Sequence, residues 1–282
     1  MDTIIDGKKI SGELALELTD EVAELKAAGI TPKLAVILVG DNGASAIYVR
    51  NKGRRAANIG IDFELVHLED SVSEDELVRR IEELNQDQTV DGILVQLPLP
   101  KAINEETIIE TIAPEKDVDG FSPINFGHLW QNNPTIIPST AGGIMTLLAK
   151  KKVDLTGKNV VIINRSNIVG RPLAALMLRK NATVTLAHSK TENLKALASS
   201  ADILVSATGR ANFITADMVK SGAIVIDVGM NRDESGKLVG DVDFPAVSQK
   251  VGMITPVPGG VGPMTVITLM QQVVAIAKKR KA

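Results

Sequence analysis

Tyr48 and Lys52 stand four residues apart in a pattern that reads as a helix beginning near Gly43, so their side chains share one face. The chain's one tyrosine beside a lysine is a candidate catalytic pair. On spacing alone, such pairs are mostly ordinary surface neighbours. Gln96 lies near the C-terminal end of a predicted strand, Gly92–Leu97, the edge at which open α/β sheets present ligand-contacting groups. Asp117 and Asp119 alternate in the string KDVDGF, so that one can face a pocket. With no histidine close in sequence they predict no metal site, and the plain alternative is a capped turn.

A second constellation runs from Lys158 to Pro172, a buried strand, a tight turn and a helix start. Doubly wound folds bind nucleotide phosphates at such a turn, where free backbone N–H groups and the helix dipole face the anion. The G-x-G-x-x-G pattern is missing and only Gly170 survives, so a purely structural strand-to-helix turn stays open. The next strand ends in Leu186-Ala187-His188-Ser189-Lys190-Thr191, where an NAD enzyme would place a carboxylate for the ribose 2′-hydroxyl. None is there. Ser189, Lys190 and Arg165 suit a 2′-phosphate instead, although Lys190 reads equally as surface charge. His67, His128 and His188 each stand alone, without metal-ligand spacing or a G-x-S-x-G string, and are read as structural. Residues Ile254–Thr265 carry three prolines and three glycines, a rigid backbone excursion where something must approach closely or domains meet.

The elements that must position these groups read as an α/β architecture. Apolar runs at Lys33–Val39, Phe63–Leu68 and Gly92–Leu97 form one set of parallel strands, with helices at Ser11–Ala28, near Gly43 and at Glu74–Asn85. A helix near Thr140 and a turn at Asp154–Gly157 precede a second set, Asn159–Ile163, Thr183–Ala187, Ile203–Ala207 and Ile224–Val228. A last helix, Met264–Lys279, returns to the first domain, and the lysine- and arginine-rich tail reads as its solvated C-terminus. At 282 residues, 44% hydrophobic and 23% charged, the chain has the composition of a globular enzyme. A net charge of −3 and seven aromatic residues argue against nucleic-acid or anionic-membrane partners. The absence of cysteine removes disulfides and thiolate chemistry. No leader peptide or stretch of membrane-spanning length is read, and the expected location is cytoplasmic.

The order of the strings YVRNK, GILVQLPLP, KDVDGF, PSTAGG, RSNIVGRP, HSKT, ADILVSATG, VIDVGMN, GDVDF and PVPGGVGPMT carries further information. The chain resembles, from end to end, the bifunctional methylenetetrahydrofolate dehydrogenase/methenyltetrahydrofolate cyclohydrolase family. That resemblance implies an α/β folate domain from residues 1–137 and 264–282, a Rossmann-type NADP domain from 138–263, a cleft between them and a homodimer. It implies Lys52 as the central catalytic lysine, Tyr48 beside the pterin, Gln96 bonded to Lys52, and Asp119 holding the pterin's N–H donors. Leu97, Pro258 and Gly260 fall on the folate side. Arg165 and Ser189 match the 2′-phosphate contacts, with Asn164, Ser166, Gly170, Thr208 and Asn231 also on the cofactor side and no metal required. The implied role is in one-carbon metabolism that serves purine biosynthesis.

Departures stand at Asn164, where the family usually has glycine, at Ser139 and Ala141, and at Gln272-Val273. Asparagine tolerates a left-handed backbone better than most residues, and if that turn is strained, glycine at 164 should raise cofactor affinity modestly. A dehydrogenase without hydrolase activity, a non-folate Rossmann oxidoreductase and a non-catalytic folate binder are the competing readings.

Overall fold

Strands that are apolar on both faces must be covered on both faces, which requires a parallel sheet between helices. The computed structural model describes residues 3–280, and in it the chain divides into two compact units. One comprises Glu13–Ile137 and Val266–Ala282, the other Met1–Gly12 and Pro138–Thr265.

In chain order the elements are α1 (Gly7–Ala27), β1 (Lys33–Val39), α2 (Gly43–Ile59), β2 (Asp62–Leu68), α3 (Glu74–Gln86), β3 (Gly92–Val95), α4 (Glu105–Thr111) and α5 (Pro123–Trp130). There follow α6 (Ser139–Lys150), β4 (Asn159–Ile163), α7 (Gly170–Leu178), β5 (Thr183–Ala187), α8 (Leu194–Ser199) and β6 (Ile203–Ser206). The last are a 3₁₀ turn (Ala216–Met218), β7 (Ile224–Asp227), β8 (Asn231–Arg232), β9 (Leu238–Val239), α9 (Phe244–Val247), β10 (Met253–Ile254) and α10 (Val261–Lys279).

In the first unit a parallel sheet has the order β2-β1-β3, and every residue of β1 from Leu34 to Val39 is buried. Helix α3 shows how local sequence seats its cover. The Ser73 side chain caps it by accepting from the Glu76 N–H, acidic residues fill the first turn, and Leu77, Ile81 and Leu84 form one buried stripe. β3 ends at Val95 rather than Leu97, although the Gln96 N–H still donates to the Ile37 carbonyl at 2.9 Å. Two prolines follow, at 98 and 100, and can supply no ladder donor.

The second unit holds a five-stranded parallel sheet, β10-β7-β6-β4-β5, and the antiparallel pair β8-β9. Residues at the chain start belong here, against the expected grouping of 1–137. Ile4 pairs with Ile254, the Ile5 N–H donates to the Ile254 carbonyl at 2.8 Å, and the Ile254 N–H donates to the Thr3 carbonyl at 2.8 Å. These bonds continue the sheet beyond β10. α1 accordingly starts at Gly7, earlier than Ser11.

One further correction concerns length. α10 has 19 residues with a mean hydropathy of 1.3, long and apolar enough by length and composition to cross a membrane, whereas no such stretch was expected. Half of it is buried within the fold, including Met270, Val273, Val274 and Ala277, so its composition is explained by its place in the core.

Candidate functional site

In the first unit, α2 carries Tyr48 and Lys52, and the chain just beyond β3 carries Gln96. Lys52 Nζ donates to Gln96 Oε1 at 3.0 Å, and Gln96 Nε2 donates to the Leu97 carbonyl at 2.8 Å. The second bond fixes which end of the amide faces the lysine. Burial pushes the Lys52 ammonium below the ordinary lysine range, while the charge of Asp119 opposes the shift. The Tyr48 phenol is pushed up by burial.

Asp117 and Asp119 divide their work as alternation requires. Asp117 is buried and spends both carboxylate oxygens locally, accepting from the Gly120 N–H (3.0 Å), the Ser122 N–H (2.8 Å) and Asn125 Nδ2 (3.1 Å). It is the capped turn. Asp119 has no such partners, and burial raises its carboxyl to about 6, with Lys52 pulling it down and Asp117 pushing it up. The departure at Gln272 supports this segment, because Gln272 Nε2 donates to the Val118 carbonyl at 2.7 Å and its Oε1 accepts from the Ile137 N–H at 2.8 Å. Lys52, Gln96 and Asp119 thus pair an amine of lowered pKa with an oriented amide and a carboxyl of raised pKa. Among the described residues no group of His, Asp and Glu could hold a metal.

In the second unit, a cavity of about 500 Å³ opens beyond the C-terminal ends of β4, β5 and β6. β4 lies between β5 and β6, so successive connections leave it in opposite directions, the switch point at which open α/β sheets bind ligands. Asn164, Arg165, Ser166, Ser189 and Thr208 line the cavity. Gly170, Lys190 and Asn231 do not, and the Asn231 amide donates instead to Asp241 at 3.0 Å. The Thr208 hydroxyl is buried and has no partner among the described residues, an unsatisfied polar group that a bound dinucleotide can satisfy. No carboxylate lines the cavity. The residues present, Arg165 and Ser189 among them, therefore fit a 2′-phosphorylated dinucleotide. His188, Thr191 and Arg210 also line it and were not singled out as binding residues. Arg210 lies over the Phe213 ring, 4.1 Å from its centroid. Only the position of ADILVSATG at a strand end hinted at that loop.

The turn after β4 differs from expectation in one respect. Positive φ among described non-glycine residues occurs at Asn132, Lys152, Asn181, Asn193 and Asn212, not at Asn164. Asn164 Oδ1 accepts from the Ser166 N–H (2.8 Å), the Ser166 hydroxyl (2.7 Å) and the Gly170 N–H (3.0 Å), and its Nδ2 donates to the Ala207 carbonyl (2.7 Å). The Val169 N–H goes to the Ser166 hydroxyl at 3.1 Å. The donors expected to be free for phosphate are thus taken by side chains. A Cβ at Gly170 would lie 2.3 Å from the Asn164 carbonyl oxygen, so closure of this turn requires glycine there. Replacing Asn164 by glycine is therefore expected to lower, not raise, the quality of the site. The ligand-free protein should lose about 2–6 kcal/mol, from four hydrogen bonds at roughly 0.5–1.5 kcal/mol each, and bind NADP more weakly. Thermal melts and calorimetry check it, and an unchanged melt with tighter binding would contradict it.

Comparison with known proteins places both units. Residues 5–119 match the catalytic domain of the tetrahydrofolate dehydrogenase/cyclohydrolase family, and residues 138–281 match its NAD(P)-binding domain. The bifunctional protein FolD of Latilactobacillus sakei is 57% identical over 277 residues, covering 98% of each chain. The crystal structure of the Campylobacter jejuni bifunctional FolD superposes with a TM-score of 0.98 at 49% identity, covering 99% of each chain. That of the Trypanosoma brucei methylenetetrahydrofolate dehydrogenase-cyclohydrolase, complexed with NADP and an inhibitor, superposes at 0.95 with 39% identity, covering 99% of this chain and 98% of that one. The chain belongs to the tetrahydrofolate dehydrogenase/cyclohydrolase family.

Proposed function

We propose that this chain is a bifunctional one-carbon folate enzyme, which oxidises 5,10-methylenetetrahydrofolate to the 5,10-methenyl form with NADP and hydrolyses that product to 10-formyltetrahydrofolate. The observation that carries the reading is the Lys52–Gln96 hydrogen bond beside Asp119, within a chain whose nucleotide cavity has no carboxylate lining it.

NADP bound in this cavity would supply the acceptor for the hydride that leaves the one-carbon bridge. The substrate's own nitrogen lone pairs spread the positive charge left behind, so this step asks of the protein chiefly orientation. Tyr48 and Leu97 contact the folate, and Asp119 accepts from the pterin's N–H donors. Hydrolysis asks for more, because a water must lose a proton as it attacks the methenyl carbon. Lys52, its pKa lowered by burial, donates one N–H to Gln96 and in its neutral form keeps a lone pair for that proton. Arg165 and Ser189 hold the 2′-phosphate, Thr208 satisfies its hydroxyl on the cofactor, and Asn164, Ser166 and Gly170 keep the turn closed around it. Asn231 serves that side through Asp241. The active species is a homodimer in the cytoplasm, with light scattering at micromolar concentration as the check on its size.

The direct test mixes purified protein with methylenetetrahydrofolate and NADP and follows absorbance for NADPH and methenyl species. Persistent methenyl accumulation leaves a dehydrogenase alone, and no NADPH removes the reading. Arg165→Ala should weaken NADP binding by about one to two orders of magnitude and barely change NAD, since a charge-assisted bond to phosphate contributes roughly 1.5–3 kcal/mol. Equal losses for both dinucleotides would sink the 2′-phosphate assignment.

A further inference from the structure

We propose that Asp241, which does not line the nucleotide cavity, is a positioning residue that sets the shape of the cavity wall Ser206–Arg210 and through it the affinity for NADP. The proposal rests on the NADP reading above. Asp241 is fully buried, and four donors converge on its two oxygens. Oδ2 accepts from the Ser206 hydroxyl at 2.9 Å and the Thr208 N–H at 2.5 Å. Oδ1 accepts from the Arg210 N–H at 3.0 Å and from Asn231 Nδ2 at 3.0 Å. Three of these donors lie within one five-residue stretch, whose Ala207 carbonyl is held on its other side by Asn164. With its backbone so fixed, the stretch presents Thr208 and Arg210 to the cavity.

The carboxylate is itself locked in place. The Asp241 N–H donates to Asp227 Oδ1 at 2.9 Å, and Asp227 also accepts from the Gly229 and Val242 N–H groups at 2.9 and 3.0 Å. A Cβ at Gly229 would come within 2.2 Å of Asp241 Oδ1, and one at Gly240 within 1.8 Å of Asp227 Oδ2. Neither glycine can be larger without moving an acid. Two carboxylate oxygens can accept from all four donors, whereas an amide at 241 would turn its own N–H groups against two of them.

The test compares wild-type protein and Asp241→Asn by calorimetric titration with NADP, by thermal melting without ligand, and by hydrolysis of methenyltetrahydrofolate in the absence of NADP. The expected result for the variant is an NADP dissociation constant raised at least about tenfold, with NADP-independent hydrolysis within about twofold of wild type. A merely structural residue would move both readouts together, and that outcome, or a folded variant that binds NADP as wild type does, overturns the proposal. Should Asp241→Asn fail to fold, Ser206→Ala decides: it withdraws one donor and leaves the carboxylate, and should weaken NADP binding about threefold, whereas an unchanged constant overturns the proposal. Absence of NADP binding by the wild-type protein would instead overturn the cofactor reading itself.

Discussion

Lys52→Met should reduce hydrolysis of methenyltetrahydrofolate by about 10²–10⁴-fold, the usual contribution of general-base assistance, and reduce hydride transfer much less. The two activities ask different things of the same side chain. Methionine keeps most of the aliphatic stem that fills the space on α2 but has no amine, so it can neither take a proton nor donate to Gln96. Hydride transfer needs the substrate held, and of the lysine's contributions only the hydrogen bond that steadies Gln96 touches that need. Both rates should be measured on one preparation, with a thermal melt to show that the variant is folded. Wild-type hydrolysis would leave Lys52 an ordinary neighbour of Tyr48 and remove the mechanism.

Asp119→Asn should raise the folate Michaelis constant at least about a hundredfold while leaving the NADP dissociation constant unchanged, because a charged acceptor facing two donors is lost at roughly 1.5–3 kcal/mol for each. The pH dependence follows from a carboxyl raised to about 6. As pH falls through 6 the accepting form is depleted, so the wild-type Michaelis constant for folate should climb between pH 7 and 5, and the asparagine variant should lack that rise. The sign for stability is the reverse. A carboxyl whose folded pKa lies above its unfolded value favours the folded state at low pH, and this contribution fades as pH rises through 6. A flat Michaelis constant across that window would show that another acid anchors the pterin.

Much of this was legible in the chain because its cues are local. Four-residue spacing put Tyr48 and Lys52 on one face of α2, two prolines marked the end of the strand that carries Gln96, and alternation separated Asp117 from Asp119. The missing carboxylate after β5 could likewise be read directly. What stayed hidden depends on groups far apart in sequence. Asn164 organises its turn by reaching Ala207, and Asp241 gathers donors from Ser206, Thr208, Arg210 and Asn231, a convergence that only the folded sheet creates. His188 offered no spacing to connect it with Arg210, yet both border the same cavity. α10 was legible as the apolar helix Met264–Lys279, and it reaches membrane-spanning length because it starts three residues earlier, at Val261.

The pairing of Ile4 with Ile254 has a consequence for the order in which the molecule can be made. These partners lie almost a full chain length apart, so their contact closes a loop that includes nearly every other residue. During synthesis, at about 5–20 residues per second, the segment Thr3–Ile5 must wait unpaired until the ribosome has released Met253–Ile254. Residues 13–137 emerge before that segment, but the core of their unit also needs α10, and the five-stranded sheet cannot gain its last edge until Met253–Ile254 has been made. Folding of that sheet therefore joins Thr3–Ile5 to a strand made about 250 residues later.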